Sequence, residues 1–437
     1  MNRAAGSADP LDQLLRGEWP DPDGGPPVSV PVRTVAIERT LSGAEHELVG
    51  ALGLGHRLAV VSDRTTHALL GRRVEHALEG SAVITSVVLG DRPHADAATA
   101  ESVRQACVTA DALVAVGSGT INDLCKHAAA TMGKPYVVFG TAPSMNGYTS
   151  TNAAITVDGH KHSLPAAAPA GVFLDLEILA AAPARMIRGG LGDSLCRPTA
   201  QVDWLLSRHL LGTAYRRAPF VLLAPDEPAL LEEPEALVRG DLDAIRALAR
   251  TLVLSGFGMT ICGGSYPASQ GEHLISHYID MFAPVARGAY FHGEQVAVAT
   301  LTMARLQQES LAAGPPQFHP STFTSDDLVQ RFGATIGASC WREVEGKRLT
   351  RQSADRMTQR IADGWDALCA ELREVTIPAA KLASTMERAG GPTGAADIGL
   401  EPNFYAEAVR NARFLRDRYT FLDFADDSGN AQQMARQ

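Results

Sequence analysis

Paired cysteines are missing: six stand apart at Cys107, Cys125, Cys196, Cys262, Cys340 and Cys369, with no CxxC to make a zinc knuckle or a dithiol couple. They read as reduced, mostly buried thiols. The N-terminal stretch MNRAAGSADPLDQLLRGEWPDPDGGPP is acidic and rich in Pro and Gly, without the apolar core of a signal peptide. No uninterrupted apolar run reaches bilayer-spanning length. The expectation is a cytoplasmic chain without an integral membrane segment. Positive charge is also scarce: 39 Lys and Arg against 49 Asp and Glu leave a net charge of -10, the wrong sign for a nucleic-acid or anionic-membrane surface. A small-molecule substrate fits better.

What is present is a globular composition, 45% hydrophobic and 20% charged, over 437 residues. That length favours two domains sharing a cleft. After a flexible start over residues 1–28, short β-rich runs alternate with helical ones. RLAVVSD at 57–63 precedes a helix over 65–78, and SAVITSVVLG at 81–90 precedes one over 95–110. DALVAVG at 111–117 leads to a helix over 121–132, and PYVVFG follows at 135–140. This alternation predicts a parallel, Rossmann-like sheet with helices on its faces, over residues 29–178. Within it, Asp158-Gly159 in AAITVDGHKHSL predicts a hairpin. From residue 179 to 437 the periodic runs are helical, at 241–262, 271–282, 294–307 and 355–373, so the second domain is expected to be all-helical. AGPPQFHPSTFTS at 313–325 and the segment 390–394 read as loops, and no internal repeat is present.

Three motifs carry chemistry. In VAVGSGTINDLCKHA a strand runs through Gly117, Ser118, Gly119 and Thr120 into a helix, so glycine backbone and helix N-terminus together could cradle a phosphate. It is neither GxGxxG, because Asn122 holds the sixth position, nor a P-loop, and a plain strand-to-helix turn is the competing reading. Asp63, at an earlier strand end, could receive a ribose or simply cap the next helix. FGTAPSMNGYTSTNAA places Thr141, Ser144, Asn146, Tyr148, Thr149 and Ser150 on a loop after a strand end, where they are expected to be exposed and to line a pocket; turn and capping roles compete. The third stretch, GGSYPASQGEHLISHYIDMFAPVARGAYFHGEQV, puts His273 and His277 four apart on one helix face, with His292 arriving after a turn. Three histidines suit a divalent metal, but on residues alone such histidines are more often polar core or surface residues than ligands. Glu272 is expected to point away from His273. The acidic ligand would have to come from afar, and Asp193 in RGGLGDSLCRP, near an expected helix start, is the candidate.

In this order GSGTIND, GTAPSMNGYTS, FLDLEILAAAPARMIRGGLGDSL, PASQGEHLISH, FHGEQVAV and RFLRDRYTFLD resemble the sn-glycerol-1-phosphate dehydrogenase family. That family sits in the superfamily of glycerol dehydrogenases, iron-type alcohol dehydrogenases and dehydroquinate synthases. The resemblance implies a dehydroquinate synthase-like fold and a metal-dependent, NAD(P)-linked dehydrogenase for a small polyol phosphate. It implies Asp193, His273 and His292 as ligands of one divalent metal (zinc, with nickel or iron as alternatives) and His277 as a proton relay. It places NAD or NADP on Gly117, Ser118, Gly119, Thr120, Asn122 and Asp123, with Thr141 and Ser144 near the nicotinamide or ribose and Asp63 near the adenosine ribose. Asn146, Tyr148, Arg197, Tyr266 and Ser269 would face substrate, Asn146 also in a catalytic role. Relatives often form homo-oligomers.

Three positions depart from the family pattern. Asn146 stands where MDGY has a carboxylate, Tyr266 where SRPAS has an arginine, and Arg197 where a lysine is usual. An amide cannot take a proton, and a phenol lacks the charge of an arginine fork. A shift toward another phosphorylated, phosphonate or bulkier substrate is therefore an open reading, as is a cyclase that uses NAD transiently.

Overall fold

The computed structural model describes residues 9–283 and 290–430. Six strands, β1 (Thr34–Glu38), β2 (Arg57–Asp63), β3 (Val83–Leu89), β4 (Ala112–Gly117), β5 (Tyr136–Gly140) and β8 (Gly171–Asp175), form one parallel sheet in the order β1-β8-β5-β4-β2-β3. Every pairing is parallel, as the alternation predicts. The sequence reading did not assign β1 or β8. The intervening pair β6 (Asn152–Val157) and β7 (His160–Pro165) is the expected hairpin, its turn made by Asp158 and Gly159 at φ 51° and 80°, both left-handed. The helix after β2 is interrupted by one π turn at His67–Gly71.

Between β2 and β4 the strand order reverses: the chain leaves β2 outward to β3, then returns to the other side of β2. This is the switch point where a crevice opens beyond the strand ends. Asp63 and Gly117 stand there, at the ends of β2 and β4.

The N-terminal expectation needs correction. Residues 9–28 are packed, not loose: helix α1 (Pro10–Arg16) buries Leu11 and Leu14, and Asp9, Asp21 and Asp23 pair with Arg250 and Arg216 of the helical region. The apolar i, i+3 pair and those acids supply anchors that the Pro/Gly content obscured. Residues 1–8 lie outside the described set.

The helices that build the site are α2 (Gly119–Met132), α3 (Ala184–Leu195), α4 (Arg197–Leu211), α5 (Leu242–Ile261), α6 (Gly271–Phe282) and α7 (His292–Ala312). From residue 179 onward the described residues contain helices and no strand. By length and composition alone α5 could cross a membrane, but Asp243, Arg246 and Arg250 interrupt its apolar sequence and 67% of the tested window is buried inside the protein, as in a core helix. One apolar core joins Ala115, Val138 and Leu174 of the sheet to Leu191, Leu252 and Leu301 of α3, α5 and α7. The sheet and the helical region are thus welded where the strand ends face α3 and α7. All six cysteines are free thiols, five of them buried.

Candidate metal and dinucleotide site

Asp193 lies near the C-terminal end of α3, not near a helix start. The glycines before it serve close approach. A Cβ on Gly190 would come within 2.8 Å of the Pro143 carbonyl carbon, and one on Gly192 within 2.7 Å of the Ala297 Cβ. On the facing helix, a Cβ on Gly293 would come within 2.7 Å of the Gly189 Cα. Helix α3 therefore touches both the loop after β5 and the start of α7, backbone against backbone. Asp193 and His292 meet as a result.

The ligand atoms of Asp193, His273 and His292 lie within 4.8 Å of one another. His273 Nε2 is 3.3 Å and His292 Nε2 4.0 Å from Asp193 Oδ1. The far nitrogen of each ring is already engaged. His273 Nδ1 is 2.9 Å from Glu272 Oε1, and His292 Nδ1 is 3.1 Å from Ser276 Oγ. Such partners orient metal-binding imidazoles. Asp193 Oδ2 accepts the Asn146 N–H at 2.7 Å, while the buried Oδ1 has no hydrogen-bond partner. A buried carboxylate oxygen left bare between two imidazole nitrogens is a donor set of the kind that suits a divalent cation, which makes these three residues a candidate metal site.

Glu272 corrects the sequence reading. It sits in the first turn of α6 and folds back over the helix start, where its Oε1 also accepts the Gln270 N–H, and this reversal brings it against His273.

The electrostatics follow from burial and neighbours. Burial resists ionisation of Asp193, but the close His273 imidazole, the charge of His292 and the Asn146 amide together hold its carboxyl below the usual value. Burial likewise opposes protonation of His273, yet Asp193 and Glu272 outweigh it and raise the imidazole to about 9. Burial and then the Lys161 charge lower His292 to about 4. His277 is depressed well below the ordinary value by burial, then by Lys161 and Arg416. Its ring lies 6.3 Å from that of His273 and 6.5 Å from that of His292, and its Nδ1 has no partner.

At the dinucleotide side, no side chain caps the N-terminus of α2, so its first-turn N–H groups remain for an anion. Gly117 has no room for a side chain, since a Cβ would lie 2.6 Å from Ile121 Cβ; Gly119 faces Met145. Ser118 and Thr120 complete the loop and are partly exposed. Asn122 and Asp123 face the protein instead: Asn122 Oδ1 accepts from the Tyr136 hydroxyl at 3.3 Å, and Asp123 from the Ala154 N–H at 3.2 Å. Asp63 caps the helix that follows it through the Thr66 N–H at 2.8 Å, while standing at the end of β2. Thr141 is buried beside Gly117, and Ser144 is partly exposed.

The loop after β5 is less open than expected. Tyr148 is buried with its hydroxyl on the Ala142 carbonyl at 2.7 Å, Thr149 bonds the Val253 carbonyl at 2.6 Å, and Ser150 is enclosed. Helix α5 crosses this loop at Gly256, where a Cβ would lie 3.0 Å from Asn146 O, and shuts these side chains in. Asn146 is buried near the metal cluster, with its Nδ2 unpartnered. Arg197 is bound to Glu227 and Gln201. It shares a small cavity with Asp193, Thr251 and Ser255. Tyr266 is 38% exposed and stacks on Trp204, and the Ser269 carbonyl accepts from Arg418.

Sequence reasoning missed Lys126, Lys161, Arg416 and Arg418. Lys126 is fully buried in α2, its ammonium donating to Gly147 O, Ser150 Oγ at 2.9 Å and Asn152 O at 3.0 Å, and so it ties down the loop that carries Asn146. The signal was a lysine on an otherwise apolar face.

A family profile for iron-containing alcohol dehydrogenases matches residues 36–183. The chain is 30% identical over 379 residues to a glycerol-1-phosphate dehydrogenase [NAD(P)+] of Bacillus licheniformis, covering 85% of this chain and 83% of that one. It is 27% identical over 378 residues to the enzyme of the same name from Methanosarcina mazei, covering 86% of each. Among solved structures it is similar to a probable glycerol dehydrogenase from Sinorhizobium meliloti, at a TM-score of 0.61 and 20% identity over 93% of this chain and 98% of that one. It is also similar to NADH-dependent butanol dehydrogenase A from Thermotoga maritima, at a TM-score of 0.58 and 13% identity over 93% and 96%. These two likenesses speak for the fold.

Proposed function

For a chain that belongs to the iron-containing alcohol dehydrogenase family, and is an NAD(P)-dependent dehydrogenase, we propose the interconversion of sn-glycerol-1-phosphate and dihydroxyacetone phosphate or a closely related pair. The observation that carries this is the bare Asp193 Oδ1 between the His273 and His292 nitrogens, beyond the strand ends that carry the glycine loop.

Asp193, His273 and His292 would hold one divalent metal, zinc by preference. Bound there, it supplies Lewis acidity toward the substrate's reacting oxygen. The Gly117, Ser118, Gly119 and Thr120 loop would receive the pyrophosphate, Asp63 the adenosine ribose, and Thr141 and Ser144 the nicotinamide side. The weld between sheet and helices fixes both halves, so hydride donor and acceptor carbons are held close. His277, neutral and with a free Nδ1, can accept a hydrogen bond from a substrate hydroxyl and pass a proton. The unpartnered Asn146 Nδ2 is a donor for a second hydroxyl or carbonyl oxygen.

A second reading, a dehydrogenase for a different hydroxy-ketone, is favoured by Asn146 and Tyr266 at two departing positions. Steady-state oxidation of NADH and NADPH with dihydroxyacetone phosphate, a phosphonate analogue and dihydroxyacetone separates the readings. Preferred turnover of dihydroxyacetone phosphate supports the first. Preference for another ketone supports the second, and product formation without change in cofactor absorbance would mark a cyclase and defeat both.

A further inference from the structure

Two guanidinium groups near the site have no carboxylate in ion-pair contact among the described residues; Glu343 and Asp417 act on Arg416, and Asp417 and Glu272 on Arg418, only from farther off. Arg416 donates from Nη2 to the Lys161 carbonyl at 2.8 Å, and Arg418 donates to the Ser269 carbonyl and, at 2.7 Å, to Ser265 Oγ. Neither forms an ion pair among the described residues, and Arg418 lies in the field of Arg416. Burial first, then Arg416, lowers Arg418 to about 10, and burial lowers Arg416 as well. The same segment shows how this protein treats a structural arginine. Arg413 is bound by Asp423, Asp426 and Asp427 together. Desolvated charge is costly unless paired, and distant acids offset these two only in part, so two neighbouring cations without a contacting carboxylate leave room for an anion from outside.

Their position is next to the chemistry. Arg418 lies over the Tyr266 ring at 4.8 Å and reaches Ser269, two residues before the start of α6, which carries His273. Arg416 bears on His277 through its charge, together with Lys161. Lys161 is itself paired with Asp280. Asp280 accepts from Gln295 at 2.9 Å, Gln295 from Ser276 at 2.6 Å, and Ser276 meets His292 at 3.1 Å. A continuous hydrogen-bonded chain thus joins the cationic wall to the cluster.

We infer that Arg416 and Arg418 form the recognition site for the phosphate of the substrate, a small dianion received by two planar forks on the helical side of the cleft. The inference rests on the phosphorylated-substrate reading for its ligand, and the test separates the two. Inorganic phosphate is titrated calorimetrically into the zinc- and NADH-loaded enzyme, and kcat/KM is measured for dihydroxyacetone phosphate and dihydroxyacetone. Arg416→Met and Arg418→Met should each weaken phosphate binding at least tenfold and lower kcat/KM for the phosphorylated ketone at least tenfold relative to the unphosphorylated one. Arg416→Lys and Arg418→Lys, which keep charge but lose the fork, should fall between wild type and the Met variants. Equal loss for both ketones, or phosphate affinity unchanged in both Met variants, would overturn the assignment. If phosphate affinity falls as expected while wild type ignores dihydroxyacetone phosphate, the anion site stands and the substrate reading fails.

Discussion

Replacing Gly293 by alanine adds a single methyl group where α7 starts against α3. That methyl would sit 2.7 Å from the Gly189 Cα and closer still to the Gly189 carbonyl oxygen. Carbon atoms pack at about 3.5–4.0 Å, so the two backbones must part by about 1 Å. Neither neighbour is a flexible side-chain end, and the strain should cost about 1–3 kcal/mol of stability. The larger effect is functional, because His292 follows α7 and Asp193 follows α3, so the cluster opens by the same distance. A displacement of about 1 Å in a catalytic arrangement costs roughly 100-fold in rate. Gly364, on the helix Arg351–Val375, is the matched control: a Cβ there meets nothing within 4 Å, and alanine should stabilise by about 1 kcal/mol through helix propensity alone. Both variants are assayed for bound metal, NADH oxidation and denaturation midpoint. A G293A enzyme with full metal content and wild-type kcat would refute the close-approach argument.

Asp193→Asn keeps the shape of the ligand but removes its charge, and metal content should fall at least tenfold with activity below one per cent of wild type, roughly a 2.7 kcal/mol loss. Elemental analysis after dialysis checks it. Lys126 gives a pH signature: burial first, against partial support from Asp123, lowers its folded value to about 8 from an ordinary 10.5. Below pH 8 both states hold the proton and the penalty is complete. Between about 8 and 10.5 the unfolded chain binds more protons, so stability should rise with pH by at most about 3 kcal/mol. The difference in urea midpoint between wild type and Lys126→Met should grow from pH 8 to 10, and a constant difference would count against it. Asp63→Ala should weaken NAD binding more than NADP binding, because a ribose acceptor is lost and a repulsion toward a 2′-phosphate is removed; fluorescence titration with both cofactors reads this. The same substitution removes a helix cap and should cost about 1 kcal/mol of stability.

The fold was legible wherever apolar runs were punctuated by helices, because a strand buried on both faces announces itself, as RLAVVSD and ALVAVG do. β1 is only partly buried, and the buried β8 runs straight into a capped helix, so neither stood apart from its surroundings. At the site, the i, i+4 pair His273 and His277 was readable from helix period. Asp193 was readable from its own residues only as a distant acid behind a run of glycines, and its place in the ligand set came through resemblance, since nothing in its spacing points eighty residues ahead. The contacts that join them come from bare glycine backbones, whose purpose shows only when the partner helix is in view. Tyr148 and Thr149 were misjudged because a polar loop looks exposed until a helix such as α5 is laid across it. Arg416 and Arg418 were quoted within a motif, but only their missing carboxylate partners distinguish them from Arg413.

The most direct measurement is anomalous diffraction at the zinc edge from crystals grown with zinc and NADH. The account predicts one strong peak within coordination distance of Asp193, His273 and His292, facing a nicotinamide whose pyrophosphate lies on the Gly117 to Thr120 loop. A peak elsewhere, or a cofactor bound away from that loop, would contradict it.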